Sequence, residues 1–190
     1  MALSLISSIL TTLFLISFLH LPSNAASFNS DLIKGACTSD GVTNPKTWDS
    51  NLCIQVLRSY PKISSSTNSK NLVINILEIG ISNATNTRAY IENTLKRVKT
   101  GSPLETALKA CNQSYENIRL SFKSAFGEVK QDEDYETCSY DLLLARTDYL
   151  NECLQAFASE KVGDQSVSNG NQFVILFGQA ADTICSLLDR

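Results

Sequence analysis

The residues of this chain best suited to covalent chemistry are six cysteines, Cys37, Cys53, Cys111, Cys138, Cys153 and Cys185. Histidine is the usual base beside a cysteine nucleophile and a common partner of cysteine in metal sites. The single histidine, His20, lies in an apolar N-terminal stretch, and the rest of the chain has none. We therefore expect the cysteines to form disulfides, and we expect no catalytic site, metal or cofactor.

The first 25 residues have the features of a secretory signal peptide. No Asp, Glu, Lys or Arg precedes Asp31, the apolar run stops at Pro22, and small residues stand at Ser23 and Ala25. This pattern predicts cleavage after residue 25, so that the mature protein spans residues 26–190 and carries no membrane segment. The alternative is an uncleaved anchor, because the apolar run nearly reaches the length of a spanning helix. An even number of cysteines in an exported chain is typical of an extracellular protein with disulfides.

The composition limits the classes of partner. The formal net charge is −3 and charged residues make up 18% of the sequence, so no basic surface for nucleic acid is expected. The chain is long enough to fold around one hydrophobic core. It contains no phosphate-binding loop, zinc-ligand spacing or calcium loop.

The cysteines must be positioned by helices, because helical patterns cover nearly the whole mature chain. Apolar residues recur at spacings of three and four in four long segments, residues 69–99, 102–127, 132–159 and 171–188. Two shorter helical segments, residues 27–37 and 48–59, precede them, and residues 162–170 are expected to form a loop. The sequence thus predicts an all-α fold, an up-down-up-down four-helix bundle (63–190) preceded by a disulfide-stapled helical hairpin (26–62), together one domain.

The predicted helices suggest which cysteines pair. Cys37 and Cys53 would close the N-terminal hairpin, a unit too small to be stable without a staple. Cys111 and Cys153 stand at similar distances from a turn expected near Lys130, so antiparallel helices bring them to similar heights. We therefore predict both of these disulfides.

Cys138 and Cys185 lie at less well matched distances from a second turn, expected near Asp164. A disulfide between them is one expectation, and two buried free thiols that pack as small apolar side chains are the alternative.

Two local patterns complete the helical prediction. The first long helix has an expected core-facing row of Leu72, Ile76, Ile79, Asn83, Thr87, Ile91, Leu95 and Val98. Ser102 followed by Pro103 and by Glu105 predicts a capping box that begins the second long helix.

Asn83-Ala-Thr85 and Asn112-Gln-Ser114 match the N-glycosylation pattern, so Asn83 and Asn112 are candidate acceptors.

Three segments carry a resemblance to a known family. The segment from Cys53 to Pro61 is similar to the family element Cys-x-x-x-Leu-x-Ser-x-Pro. The segment from Ala107 to Cys111, with Tyr115 following, is similar to the segment that carries the third cysteine of the family. Cys153 with Phe157 is similar to the segment that carries the fourth cysteine of the family. With the signal peptide, hairpin and bundle, the chain resembles the plant invertase and pectin methylesterase inhibitor family over essentially its whole mature length.

The chain also departs from this family in three respects. The spacing of the first cysteine pair is longer than usual and is similar to that of a subgroup of invertase inhibitors that includes pollen allergens. Cys138 is not one of the four paired cysteines of the family. Some invertase inhibitors carry Pro-Lys-Phe near the start of the third bundle helix, where this chain reads Asp134-Tyr-Glu-Thr-Cys138.

The resemblance implies a secreted inhibitor, located in the cell wall or alternatively in the vacuole, that blocks the carbohydrate cleft of one pectin methylesterase or acid invertase molecule. For an esterase the contact would be the face of the second and third bundle helices, and for an invertase the turn between them. Both interpretations point near residues 126–141, and the candidate contact residues are Asp132, Glu133, Asp134, Tyr135 and Glu136. Aromatic residues are enriched at binding hot spots, which favours Tyr135. The alternative is a solvated acidic helix start that only complements the helix dipole.

Two further functions fit the same fold. A secreted, disulfide-stapled helical protein can bind a lipid or another small apolar ligand, but this requires a hollow core. We expect the aromatic residues of this chain to fill the core instead. An extracellular signalling or defence module without inhibitory activity is the other alternative, since Pro-Lys-Phe is absent.

Overall fold

The computed structural model describes residues 31–38 and 48–190. The signal peptide predicted for residues 1–25, and most of the connection within the N-terminal hairpin, lie outside these ranges. Residues 31–36 are helical. The later helices are α1 (Ser50–Arg58), α2 (Pro61–Ser64), α3 (Ser69–Leu95), α4 (Pro103–Gly127), α5 (Tyr135–Leu144), α6 (Leu150–Glu160) and α7 (Gln165–Leu188). Neither described range contains a strand, which confirms the all-α prediction.

Two π-helical turns, Glu128–Asp132 and Ala145–Tyr149, interrupt the α-helices. The second one joins α5 to α6 without a break, and residues 135–160 are named the third bundle helix below. π-helical turns, in which the backbone hydrogen bonds join residues five apart, are rare and are frequently found at functional sites. The periodicity of the sequence did not predict either turn.

The long helices alternate in direction. The Cys111–Cys153 disulfide joins the start of α4 to the end of the third bundle helix, and Cys138–Cys185 joins the start of that helix to the end of α7. Both links require antiparallel neighbours, which fits the up-down-up-down order. Within the described ranges, no helix is long and apolar enough to cross a membrane.

The N-terminal hairpin is fastened to α7. Cys37 and Cys53 form a disulfide with their Cα atoms 5.7 Å apart, and the indole nitrogen of Trp48 donates to the carbonyl oxygen of Cys37 at 3.1 Å. The Tyr60 ring meets the rings of Phe173 and Phe177 edge-on. The cysteine pairs are thus the three that the sequence suggested, and Cys138 and Cys185 are not free thiols.

The interior of the bundle is filled with large side chains. Tyr115, Phe122 and Phe177 are each 0% exposed. The row of α4 is buried as its periodicity predicts, from Leu108 through Cys111 and Ile118 to Ala125. A hollow core of the kind that a lipid would need is therefore not formed around these aromatic residues.

The predicted core-facing row of α3 is wrong at its centre. Asn83 and Thr87 are only partly buried, whereas Gly80 and Ala84 lie in the core. Gly80 is buried because the Phe122 ring packs directly onto it, and a Cβ there would lie 2.5 Å from two ring atoms. The predicted row was wrong because it was built from large apolar residues. Gly80 and Ala84, which lie in the core instead, have little or no side chain. The helix also ends at Leu95, short of the predicted residue 99.

Three other boundaries differ from those predicted. Residues 162–170 do not form a loop throughout, because Asp164 accepts hydrogen bonds from the backbone N–H groups of Ser166 and Val167 and begins α7 there. The hairpin was predicted to run to residue 62, but a further short helix, α2, begins at Pro61 within that range. The third bundle helix begins at Tyr135 rather than at residue 132.

The capping box at the start of α4 is confirmed. Ser102 accepts from the Glu105 N–H at 3.2 Å, and the Glu105 carboxylate accepts in return from the N–H of Gly101 at 2.5 Å. The reciprocal bond thus reaches one residue further back than in the usual box.

Candidate functional site

The five candidate contact residues, 132–136, lie where the chain reverses between α4 and α5. The π-helical turn continues α4 as far as Asp132, and Glu133 then adopts a left-handed conformation with φ 53°. The Asp134 N–H donates to the carbonyl oxygen of Glu128 at 3.3 Å and closes the reversal. The structure thus brings all five residues together at one end of the bundle.

Glu133 is engaged within the protein. Its carboxylate lies 2.5 Å from the ammonium group of Lys70, in the first turn of α3. The hydrogen bond and charge of Lys70 lower the pKa of Glu133, and the same hydrogen bond raises the pKa of Lys70. The pair links the reversal to α3, so Glu133 has a structural role apart from any partner.

Asp134 and Tyr135 also have internal roles. The Asp134 carboxylate accepts from the Thr137 N–H at 3.0 Å, which caps α5, and this bond lowers the pKa of Asp134. The Tyr135 side chain is half-buried against the hydrophobic core. The helix-start interpretation therefore accounts for Asp134, and Tyr135 is less available to a partner than its type suggested.

Asp132 and Glu136 remain available for contacts. Both side chains are exposed, and neither makes a hydrogen bond or ion pair within the described ranges. They flank the reversal on either side, so a partner that met this end of the bundle would encounter two carboxylates that the fold itself does not use.

Glu128 is a charged residue of this region that the sequence analysis missed. It is half-buried in the π-helical turn, and the Ser124 hydroxyl donates to its Oε1 at 3.0 Å. Its Oε2 is buried and has no hydrogen-bond partner among the described residues. Burial raises the pKa of Glu128, and the nearby carboxylates of Asp141 and Asp134 raise it further, while Ser124 opposes the shift. The reversal thus contains a carboxylate whose charge the fold disfavours.

A row of exposed large apolar side chains follows the reversal on the third bundle helix. Tyr140 is 58% exposed, Leu143 41% and Leu154 42%. We name these three residues the outer row. All three are large apolar residues at positions that the helical periodicity does not assign to the core. This excess of apolar residues is the sequence signal that could have identified the outer row. Tyr140 and Leu143 stand three residues apart and so share one helix face, and exposed apolar side chains on one surface are typical of a protein-binding site.

The two candidate glycosylation sites lie in helices. The Asn83 side-chain amide donates to the Ile79 carbonyl oxygen at 3.1 Å. The Oδ1 of Asn112 is buried without a hydrogen-bond partner among the described residues. Modification at either position stays a prediction.

The described residues show no group of three or more potential ligands arranged to hold a metal ion. The exposed side chains between residues 132 and 143 offer carboxylates and apolar contacts for a partner.

The comparison with protein families identifies one match that covers most of the chain. Residues 31–181 match the family described as plant invertase/pectin methylesterase inhibitor. A cell wall / vacuolar inhibitor of fructosidase 2 from Arabidopsis thaliana is 29% identical over 109 residues. That alignment covers 57% of this chain and 59% of the relative, so the chain spans less than two thirds of the relative's length.

Two solved structures have the same fold. A mutant form of a pectin methylesterase inhibitor from Arabidopsis matches with a TM-score of 0.65 over 78% of this chain and 93% of that chain. A pectin methylesterase inhibitor from Arabidopsis thaliana matches with a TM-score of 0.60 over 83% and 97%. Both are 20% identical to this chain, a level at which the likeness concerns the fold.

The family match covers both the N-terminal helices and the bundle, and it agrees with the helical fold that the solved inhibitors share. This chain belongs to the plant invertase/pectin methylesterase inhibitor family.

Proposed function

We propose that this protein is a secreted inhibitor of a plant pectin methylesterase or acid invertase, and that it acts in the cell wall or in the vacuole. It binds one target molecule and covers the carbohydrate cleft, so that substrate cannot enter. The family match supports the inhibitory activity, and the name of the Arabidopsis relative supports the two locations.

The outer row is the observation that carries this proposal for the binding surface. Tyr140 and Leu143 stand four and seven residues after Glu136, a spacing that places two exposed apolar side chains on the same helix face as an available carboxylate. An interface of this type combines apolar anchors with charged residues at its edge. The aromatic ring of Tyr140, which is 58% exposed, is the strongest candidate for an anchor.

The bundle presents this surface with little loss of conformational freedom. Two disulfides, Cys111–Cys153 and Cys138–Cys185, hold the third bundle helix at both ends. A surface that is already ordered before binding loses less entropy when the complex forms. Inhibition by occlusion therefore suits a stapled bundle better than it suits a mobile loop.

The two targets are supported by different observations. The name of the Arabidopsis relative favours an invertase, since it is an inhibitor of fructosidase. The exposed helix face favours an esterase, because the outer row lies along the third bundle helix and not only in the turn. The absence of Pro-Lys-Phe at the start of that helix also argues against the invertase mode of insertion.

A titration of the oxidised protein against both enzymes tests the proposal. Stoichiometric loss of activity of one enzyme, with the other unaffected, would establish the class and name the target. Protein reduced and alkylated at all six cysteines is the matched control and should not inhibit. If intact protein inhibits neither enzyme, the inhibitor function is wrong, and a lipid-binding assay and a search for a signalling role follow from the two alternatives.

A further inference from the structure

The π-helical turn in the third bundle helix interrupts the outer row. It spans Ala145–Tyr149, between Leu143 on one side and Leu154 on the other. A π-helical turn winds differently from an α-helix, so it determines how the two halves of the helix are rotated relative to each other. Whatever fixes this turn therefore also fixes the relative position of Tyr140, Leu143 and Leu154.

Arg146 fixes this turn to α7. Its guanidinium group donates from Nη1 to Gln179 and from Nη2 to Asp182, both on α7. The Arg146 side chain is 7% exposed and that of Asp182 is 17% exposed. The planar guanidinium group can hold two partners at a set angle, which a lysine ammonium group cannot reproduce.

Gly178 provides the space for Arg146. A Cβ at position 178 would lie 2.7 Å from Cδ and 2.8 Å from Cγ of Arg146, so the arginine stem lies directly on the backbone of α7. The contact is specific in shape as well as in charge. A glycine inside a helix otherwise lowers helix stability by roughly 1 kcal/mol relative to alanine, which makes its presence here informative.

Stability alone does not account for this arrangement. Burial lowers the pKa of Arg146 and raises that of Asp182, and in each case the charge of the partner opposes the shift, so both groups lose solvation in the fold. The Arg146 Nε is also buried without a hydrogen-bond partner among the described residues. Buried ion pairs often contribute no more stability than apolar residues of similar size, and some are retained because they specify one arrangement.

We propose that Arg146, held by Asp182 and Gln179 in the space left by Gly178, is a positioning residue that sets the outer row for target binding. This role rests on the proposed inhibitor function. Arg146 itself is covered and touches no target. It acts through the π-helical turn, which orients Leu143 on one side and Leu154 on the other.

The surrounding contacts agree with a positioning role. The Cys138–Cys185 disulfide and the contact between the hydroxyl groups of Ser139 and Ser186, 3.3 Å apart, already join α5 to α7 near their ends. The Arg146 contacts add a link to α7 about two turns further along, between the disulfides at Cys138 and Cys153. Among the described residues, Arg190 is the other charged group that lines the same surface depression as Asp182.

The double variant Arg146→Met/Asp182→Leu separates positioning from stability. It replaces the pair by apolar side chains, so its melting temperature should stay within a few degrees of the wild type. Hydrogen exchange of the backbone amides of residues 143–151 should become faster, on the order of ten-fold. Affinity for whichever enzyme the wild type inhibits should fall by roughly ten-fold. Arg146→Lys, which keeps the charge but not the planar fork, should lie between the two.

Unchanged exchange and unchanged affinity in the double variant would overturn the proposal. If exchange becomes faster while affinity stays at the wild-type level, the pair holds the turn but does not position the binding surface, which also contradicts it. If the double variant fails to fold, Arg146→Lys gives the same two readouts. If the wild type inhibits neither enzyme, the inhibitor function fails, while the exchange experiment still reports whether Arg146 holds the turn.

Discussion

The Nζ of Lys70 lies 2.5 Å from Oε1 of Glu133, which ties the first turn of α3 to the residue that reverses the chain between α4 and α5. Glu133 has φ 53°, and Lys161, at the end of α6, has the same φ without such an ion pair. Glu133 and Lys161 therefore share a left-handed backbone conformation, but only the side chain of Glu133 forms an ion pair within the described ranges.

Substitution by glycine at these two positions measures how much the ion pair between Lys70 and Glu133 stabilises the fold. Lys161→Gly should raise the free energy of unfolding by about 0.5 kcal/mol, because glycine adopts the left-handed conformation without a steric penalty. Glu133→Gly should gain less, because it loses the contact with Lys70. Urea unfolding of both variants checks this, and equal gains would mean that the pair does not stabilise the fold.

The buried carboxylate of Glu128 gives a prediction on pH. Its pKa is raised in the folded protein, mainly by burial. The folded state therefore binds the proton more tightly than the unfolded chain, and the unfavourable contribution of the charged form is complete above the folded pKa. It disappears as the pH falls through the folded pKa towards the unfolded value of about 4.3.

Glu128→Gln removes this contribution. The glutamine carbonyl can still accept from Ser124, and its amide can donate to Asp141, whose carboxylate lies close to Glu128. The variant should be more stable than the wild type by up to about 1 kcal/mol at neutral pH, with the difference vanishing near pH 4. Guanidinium unfolding at both pH values measures this, with Glu160→Gln as a control. A variant that is less stable at neutral pH would show that the Glu128 charge is not disfavoured.

The available carboxylates give a prediction on association. Asp132→Asn/Glu136→Gln should slow association with the target severalfold and reduce its salt dependence, because charges at the edge of an interface act mainly on the association rate. Glu92→Gln/Glu160→Gln changes the net charge equally at the opposite end of the bundle, in the last turns of α3 and α6, and should have little effect. Stopped-flow mixing at two salt concentrations compares them, and equal rates would remove the acidic residues from the interface.

Two glycines with opposite surroundings test the corrected row of α3. Gly80→Ala would place a Cβ 2.5 Å from the Phe122 ring and should destabilise the fold by about 1–3 kcal/mol. Gly127→Ala has nothing within 4 Å of the new Cβ and should stabilise α4 by about 0.5–1 kcal/mol. Thermal unfolding should therefore shift in opposite directions. A tolerated Gly80→Ala would mean that Phe122 has room to move.

The parts of the fold that depend on regular spacing could be predicted from the sequence. The row of α4 repeats with large apolar residues, and antiparallel helices place Cys111 opposite Cys153, so both were accessible to simple geometry. The core contact at Gly80 was not, because a small residue gives no apolar signal. The turn at Arg146 was missed because its partners lie on another helix.

The candidate site was predicted in place but not in detail. The residues from Asp132 to Glu136 do lie together at the reversal. The sequence could not show that Lys70 engages Glu133 or that Tyr135 is half-buried, since both depend on packing between helices. Tyr140 and Leu143 were missed because exposure on a helix follows from which neighbours cover it.

Calorimetric titration of the wild type, Leu143→Asp and Leu52→Asp into the enzyme tests the central claim most directly. Leu52 is 50% exposed, on α1 outside the four long helices, and serves as the control for a new surface charge. The account predicts that the wild type and Leu52→Asp bind a pectin methylesterase or an acid invertase one to one with equal affinity, while Leu143→Asp binds roughly ten-fold more weakly or worse. Equal binding by all three proteins, or no binding of either enzyme by the wild type, would contradict it.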